Sequence, residues 1–155
     1  MSQPLLILYA TTTGNAQICA DRIADAAKKH GYEPRVWDVE GFDIRLLETE
    51  PVVLFSVSTY GDGDPSDSAL FFWSDVELLA PGSLASLRYS VYALGDSSYA
   101  DFCGFGRKLD EELAAKGATR VAPRRDVDVD YEAGLDSWSS AVFGALTKAD
   151  EPASV

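Results

Sequence analysis

Leu5-Leu6-Ile7-Leu8-Tyr9-Ala10-Thr11-Thr12-Thr13-Gly14-Asn15-Ala16 is the stretch from which the rest of the chain can be read. A continuous apolar run that ends on threonines and a glycine reads as a strand covered on both faces, as in parallel sheets. After it, Ala16, Cys19, Ala20, Ile23 and Ala27 recur at helical spacing and stop near Gly31. Strand, hydroxyl-rich turn and amphipathic helix make the first half of a β-α-β unit. The helix opens on amides with no intrahelical partner, an end that attracts phosphate through free N–H groups and the positive end of the dipole. Three hydroxyls and an Asn side chain add donors. No Lys or Arg lies in the turn, which disfavours a nucleoside triphosphate and suits a monophosphate held by neutral groups. Taken alone, the same residues are equally well explained as a Thr/Asn helix cap with no ligand.

Working outward, the same alternation repeats. Residues 34–39 read as a second strand whose proline and charges place it at an edge, and 41–47 as a connector with one helical turn. Residues 52–57 are the cleanest strand, and 58–65 are loop because of their Gly and Pro content. Ala69, Phe72, Trp73, Val76 and Leu79 mark a helix face. Residues 89–94 form a fourth strand, followed by a loop at 95–98. Phe102, Phe105, Leu109 and Leu113 mark a helix that stops at Gly117. Residues 119–122 read as a short fifth strand, and Leu135, Trp138, Val142 and Leu146 as a last helix, with 149–155 a frayed tail. Strands alternating with helices predict a single α/β domain over 1–155, a three-layer sandwich around a parallel sheet. Right-handed crossovers and five strands suit the order 2-1-3-4-5.

Bulk properties narrow the chemistry. The 155 residues are 46% hydrophobic and 25% charged, as in a water-soluble domain, and no apolar run approaches the roughly 18 residues of a membrane span. No basic leader precedes the first strand, so a cytoplasmic location is the expectation. Cys19 and Cys103 have no metal-ligand spacing, and the single histidine, His30, does not make a zinc site. Thirteen basic against 25 acidic residues give a net charge of −12, which repels nucleic acid and anionic membranes. The charge favours a basic protein partner, or serves solubility alone.

In a sheet of this order, a ligand sits outside the carboxyl ends of the strands, where the loops after strands one, three and four meet. The second of these loops exposes Tyr60 among glycines and acids. The third exposes Tyr99 and Phe102 beside Gly95 and Asp96. Either tyrosine by itself is more often a packing residue than a ligand contact. Two on neighbouring loops, beside a phosphate-type turn, are placed to sandwich a flat ring.

These residues resemble flavodoxins and the FMN domains of diflavin reductases. The turn at 10–16 is similar to the family's phosphate loop. Ser58-Thr59-Tyr60-Gly61-Asp62-Gly63-Asp64-Pro65 resembles the diflavin version of the second loop. Leu94-Gly95-Asp96-Ser97-Ser98-Tyr99, with Phe102-Cys103-Gly104, resembles the third loop of short-chain members. The resemblance implies that Thr11, Thr12, Thr13, Gly14, Asn15 and Ala16 hold the phosphate of FMN. Ser58, Thr59, Tyr60, Gly61, Asp62 and Gly63 would form one wall and Leu94, Gly95, Asp96, Tyr99, Phe102 and Cys103 the other. Tyr60 and Tyr99 would stack on the ring, and the Gly61 peptide would turn to accept a bond from the semiquinone N5–H. Many members have Thr where Ala16 stands and Trp where Tyr60 stands. Arg124 and Arg125, before Asp126, Asp128 and Asp130, form a local basic patch with no assigned use.

The implied function is a monomeric electron carrier with no catalytic or metal-binding side chain. It would shuttle single electrons from a flavoprotein reductase to a basic-surfaced acceptor through quinone, semiquinone and hydroquinone FMN. Acids including Asp62, Asp64, Asp67, Asp96 and Asp101 would ring the flavin edge. At this length the expectation is a short standalone flavodoxin, with the MioC-like group a candidate. An FMN-dependent NAD(P)H–quinone reductase is the alternative, and a flavin-free interaction module a second. Ser97 and Ser98 lie beside Asp96 without a histidine, which argues against a hydrolase.

Overall fold

A computed structural model describes residues 3–150 of the chain. Strand β1 (Gln3–Ala10) leads into helix α1 (Asn15–Lys29), followed by β2 (Tyr32–Asp38), a 3-10 turn at Ile44–Glu48 and β3 (Val52–Tyr60). A two-residue strand β4 (Asp64–Pro65) precedes α2 (Leu70–Leu78), and then come β5 (Arg88–Leu94) and α3 (Gly104–Ala115). Two short strands, β6 (Thr119–Arg120) and β7 (Arg125–Val127), precede α4 (Leu135–Asp150). The central sheet is ordered β2-β1-β3-β5-β6 and is parallel along that path. This is the α/β three-layer architecture the alternation predicts. Among the described residues no helix is long and apolar enough to cross a membrane.

The pleat divides β1 between two cores. Leu6, Leu8 and Ala10 enter the one shared with α2 and α3, while Leu5 and Ile7 enter the one shared with α1 and α4. All five are fully buried, and burying a leucine or isoleucine side chain contributes about 1.5–3 kcal/mol. Burial on both faces is why this strand shows no alternation in its sequence. β2 takes the edge expected of it: Pro34, which has no N–H to donate, stands opposite Leu5 of its one neighbour. Arg35 holds this edge through a bidentate pair with Glu50 at 2.8 and 2.7 Å.

The structure corrects three expectations. The fifth strand is not a single run over 119–122 but the two pieces β6 and β7. The register with β5 goes from Tyr89↔Arg120 to Tyr92↔Arg125, so four residues of the fifth strand stand against two of β5. Pro123, which cannot donate to a ladder, lies in that interruption. The Ser90 hydroxyl bridges the gap by donating to the Ala122 carbonyl (3.0 Å) and accepting from Trp138 Nε1 (3.1 Å). Residues 58–65 are not plain loop either, because β4 folds back antiparallel on β3, with Thr59 opposite Pro65 and Tyr60 opposite Asp64. Finally, Ala149 and Asp150 belong to α4, while 151–155 of the expected frayed tail lie outside the described residues.

Candidate functional site

A cleft of about 550 Å³ opens at the carboxyl ends of β1, β3 and β5. At its first wall the chain leaves β1 through Thr11, whose Oγ1 accepts the N–H of Gly14 at 2.8 Å. Gly14 then takes the left-handed conformation (φ +94°), which glycine adopts without a Cβ penalty. No side chain caps α1, and the first backbone bond back is from Ile18 N–H to the Gly14 carbonyl at 3.1 Å. The first-turn amides are therefore available to a ligand, beside Thr12, Thr13 and Asn15, which line the cleft. Ala16 does not line it. Its side chain is fully buried in the α1/α4 core and its carbonyl accepts the Ser56 hydroxyl at 2.8 Å. Thr11 and Gly14 shape the turn from behind.

The other two walls carry the tyrosines. Ser58, Thr59, Tyr60 and Gly61 line the cleft from the β3–β4 hairpin, with Gly61 at its tip (φ +54°). Leu94, Gly95, Asp96 and Tyr99 line it from the β5–α3 loop. That loop is folded by Asp96, whose Oδ1 accepts the Ser98 N–H at 2.9 Å and its hydroxyl at 2.7 Å. Tyr60 remains 60% exposed and Tyr99 47%, an unusual cost in apolar area at two rings bordering one cleft.

Four further sequence candidates stand outside the lining. Asp62, in the middle of the hairpin turn, is exposed, and Gly63 beside it is buried. Phe102 packs against the α2/α3 core instead of facing the cleft. Cys103 is fully buried in the left-handed region (φ +54°), with its thiol 3.5 Å from the Ala93 carbonyl and 3.6 Å from that of Val127. It lies directly behind Gly95, where a Cβ would come within 2.7 Å of the sulfur. Burial first, then the nearby Asp126 carboxylate, push the Cys103 thiol up to about 12. Burial likewise raises Cys19 to about 12. Neither thiol should react with iodoacetamide at pH 8 in the native protein, and both should react once urea unfolds it. Mass spectrometry of the alkylated chain checks this, and rapid native labelling of Cys103 would show that the third loop opens.

Sequence reasoning missed Asp128, Val129 and Tyr131, which close the cleft from the segment after β7. Asp128 Oδ1 accepts the N–H groups of Ser97 (3.1 Å) and Val129 (2.8 Å), joining this segment to the third loop. Hydrogen bonds from Ser97, then from Val129, hold its carboxyl below the usual carboxylate range. The signal was in the topology: a fifth strand beside the fourth must end next to the third loop. Of the two arginines left unassigned, Arg124 is structural, pairing with Asp126 (2.7 Å) and Asp110 (3.0 Å), while Arg125 is exposed with its side chain beside Gly134.

The volume falls within the range of about 300–1,000 Å³ typical of small-molecule sites. An uncapped helix end among neutral donors at one side and two aromatic rings at the other fit a flat ring joined to a monophosphate.

Comparison with known proteins agrees. The flavodoxin family model matches residues 7–138, and this chain belongs to the flavodoxin family. FMN is its cofactor and electron transfer its broad role. The chain is 37% identical over 145 residues to the sulfite reductase (NADPH) flavoprotein alpha-component of Shewanella sp. strain MR-7. That match covers 94% of this chain and 24% of the relative, so the chain spans about a quarter of the length of such relatives. Among solved structures, the flavodoxin of Streptococcus pneumonia TIGR4 superposes with a TM-score of 0.79 at 24% identity, covering 91% of this chain and 98% of its own. A short-chain flavodoxin associated with a non-canonical PDU bacterial microcompartment gives 0.83 at 21% identity, covering 96% and 99%.

Proposed function

We propose that this chain carries single electrons on FMN from a flavoprotein reductase to an acceptor protein with a basic surface. The observation that carries the reading is the cleft itself, with an open helix N-terminus facing two exposed tyrosines on adjacent loops. When bound, FMN supplies reversible one-electron chemistry. The protein supplies the hold and the surroundings. Thr12, Thr13, Asn15 and the α1 amides take the phosphate, and Tyr60 and Tyr99 cover the ring. Gly61, at the hairpin tip, has the backbone freedom to turn either its carbonyl or its N–H toward the ring edge. Asp96 and Asp128 line the same cleft, so extra negative charge on the ring is disfavoured there. That spreads the two electron uptakes apart in potential, which suits a carrier of single electrons.

The net charge of −12 supports transient docking of a basic acceptor, with association steered over several ångströms and weakened by salt. The name of the relatives supports a donor that draws on NADPH. The same name gives the reductase alternative its footing, so the two readings need separating. Anaerobic stepwise photoreduction of the FMN-loaded protein does so. A distinct one-electron stage in the visible spectrum before full bleaching is expected. Direct two-electron bleaching, with steady turnover of NAD(P)H and a quinone, would put the quinone reductase ahead.

A further inference from the structure

The hairpin that carries Tyr60 and the loop that carries Tyr99 are joined outside the cleft by a cluster of charges. Asp62 Oδ1 accepts the backbone N–H of Asp101 at 2.6 Å. The Asp101 carboxylate accepts from Arg107 Nη1 at 2.6 Å and lies 3.9 Å from Lys108 Nζ. Lys108 in turn donates to the Gly63 carbonyl at 3.0 Å. Nearby, the N–H of Phe105 donates to Thr59 Oγ1 at 3.2 Å. Thr59, Asp62 and Gly63 of the hairpin are thereby tied to Asp101 and the first turns of α3.

Two glycines make this fit. A Cβ at Gly63 or at Gly104 would collide with the Asp101 carboxylate, and one at Gly104 would stand 2.7 Å from the Gly63 Cα. The carboxylate occupies a socket that only glycines leave open. The arrangement has a mechanical reason. β4 is two residues long, and a hairpin that short does not hold its position without outside contacts. No residue of this cluster except Thr59 lines the cleft.

We propose that Asp101 is a positioning residue for the flavin: Arg107 and Lys108 hold its carboxylate in the socket between Gly63 and Gly104, its N–H meets Asp62, and the two tyrosine-bearing walls are thereby clamped together. The inference rests on the FMN reading above. It differs from a simple charge effect, and the difference is measurable because FMN is an anion. By charge alone, Asp101→Asn removes a negative group and tightens FMN, whereas Arg107→Gln removes a positive one and loosens it. A clamp makes both changes act in the same direction.

The experiment is fluorescence titration of the apoprotein with FMN for Asp101→Asn, Arg107→Gln and the double variant. Each single variant should weaken FMN about tenfold, the scale of one charge-assisted hydrogen bond. The double variant should be no weaker than the worse single, since either change opens the same clamp. The visible spectrum of the bound flavin should shift alike in both, while the melting temperature of the apoprotein stays within a few degrees, as for half-exposed ion pairs. Glu111→Gln removes the carboxylate 3.9 Å from Arg107 on the solvent side and should change affinity less than twofold. If either variant fails to fold, Asp62→Ala removes the acceptor of the Asp101 N–H and should weaken FMN, where loss of a negative charge alone would tighten it. Opposite shifts for Asp101→Asn and Arg107→Gln, or additive ones in the double variant, overturn the clamp while leaving the FMN reading intact. A wild-type protein that takes up no FMN overturns both.

Discussion

Asp110→Ala lowers the free energy of unfolding by about 3 kcal/mol, the lower end of what breaking a buried ion pair costs. Asp110 is 3% exposed on α3. Its Oδ1 accepts the Tyr89 hydroxyl at 2.7 Å and Arg120 Nε at 2.8 Å, and its Oδ2 accepts Arg124 Nη1 at 3.0 Å. Tyr89 is fully buried on β5, and burial, then its bond to Asp110, push its phenol above the usual range. Removing the carboxylate leaves two guanidinium groups without their shared partner. The cost stays at the low end for two reasons. The arginine side chains are 41% and 21% exposed and can turn toward water, and the Tyr89 hydroxyl keeps the Asp110 backbone carbonyl at 2.9 Å. Asp110→Asn keeps the shape and should lose less. Urea denaturation reads both, as a lower midpoint at unchanged m-value. A loss below about 1 kcal/mol would place this pair with ordinary surface salt bridges.

The position of this cluster gives it a role beyond stability. Arg120 lies in β6 and Arg124 in the interruption before β7, so one carboxylate on α3 holds both sides of the break in the fifth strand. From β7 the chain passes directly to Asp128, Val129 and Tyr131 of the cleft. A weakened cluster should therefore also loosen the Asp128 bonds to the third loop.

How far the sequence could be read follows from the range of the forces involved. The run at 5–10 shows its burial because a strand packed on both faces must be apolar at every position, and α1 shows its face because α-helical spacing repeats over four turns. Both signals are local. The break between β6 and β7 depends on Ser90 and Trp138, distant in sequence, filling the gap that Pro123 leaves, so residues 119–127 alone do not reveal it. The cleft was legible in part for the same reason. Thr12, Thr13, Asn15, Tyr60 and Tyr99 lie on or at the edge of loops whose composition is unusual by itself. Asp128 and Tyr131 lie among ordinary residues and gain their place only from the neighbouring strand. Phe102 and Cys103 follow Tyr99 in the same motif, yet packing draws Phe102 to the α2/α3 core and Cys103 behind Gly95.

Replacing both tyrosines, as Tyr60→Ala with Tyr99→Ala, should weaken FMN binding by a hundredfold or more, the largest functional effect expected of any pair in the cleft. Stacking of a flat ring on an aromatic side chain contributes about 1–3 kcal/mol per face, and about 1.4 kcal/mol is tenfold in affinity. Each single change should therefore cost about tenfold, and the changes should add because the two rings sit on separate loops. Tyr→Phe at either position keeps the stacking face and should stay within about threefold. Stability of the apoprotein should hardly move, since rings 60% and 47% exposed bury little of their area. That contrast separates a binding role from a packing role. If Tyr60 or Tyr99 were an ordinary packing residue, its alanine variant would lower the melting temperature and leave FMN affinity unchanged. Titration of the wild-type and variant apoproteins with FMN, beside their thermal denaturation, reads both quantities. Unchanged affinity in the double variant would mean that the ring lies elsewhere in the cleft, leaving the helix end and the threonines as the binding determinants.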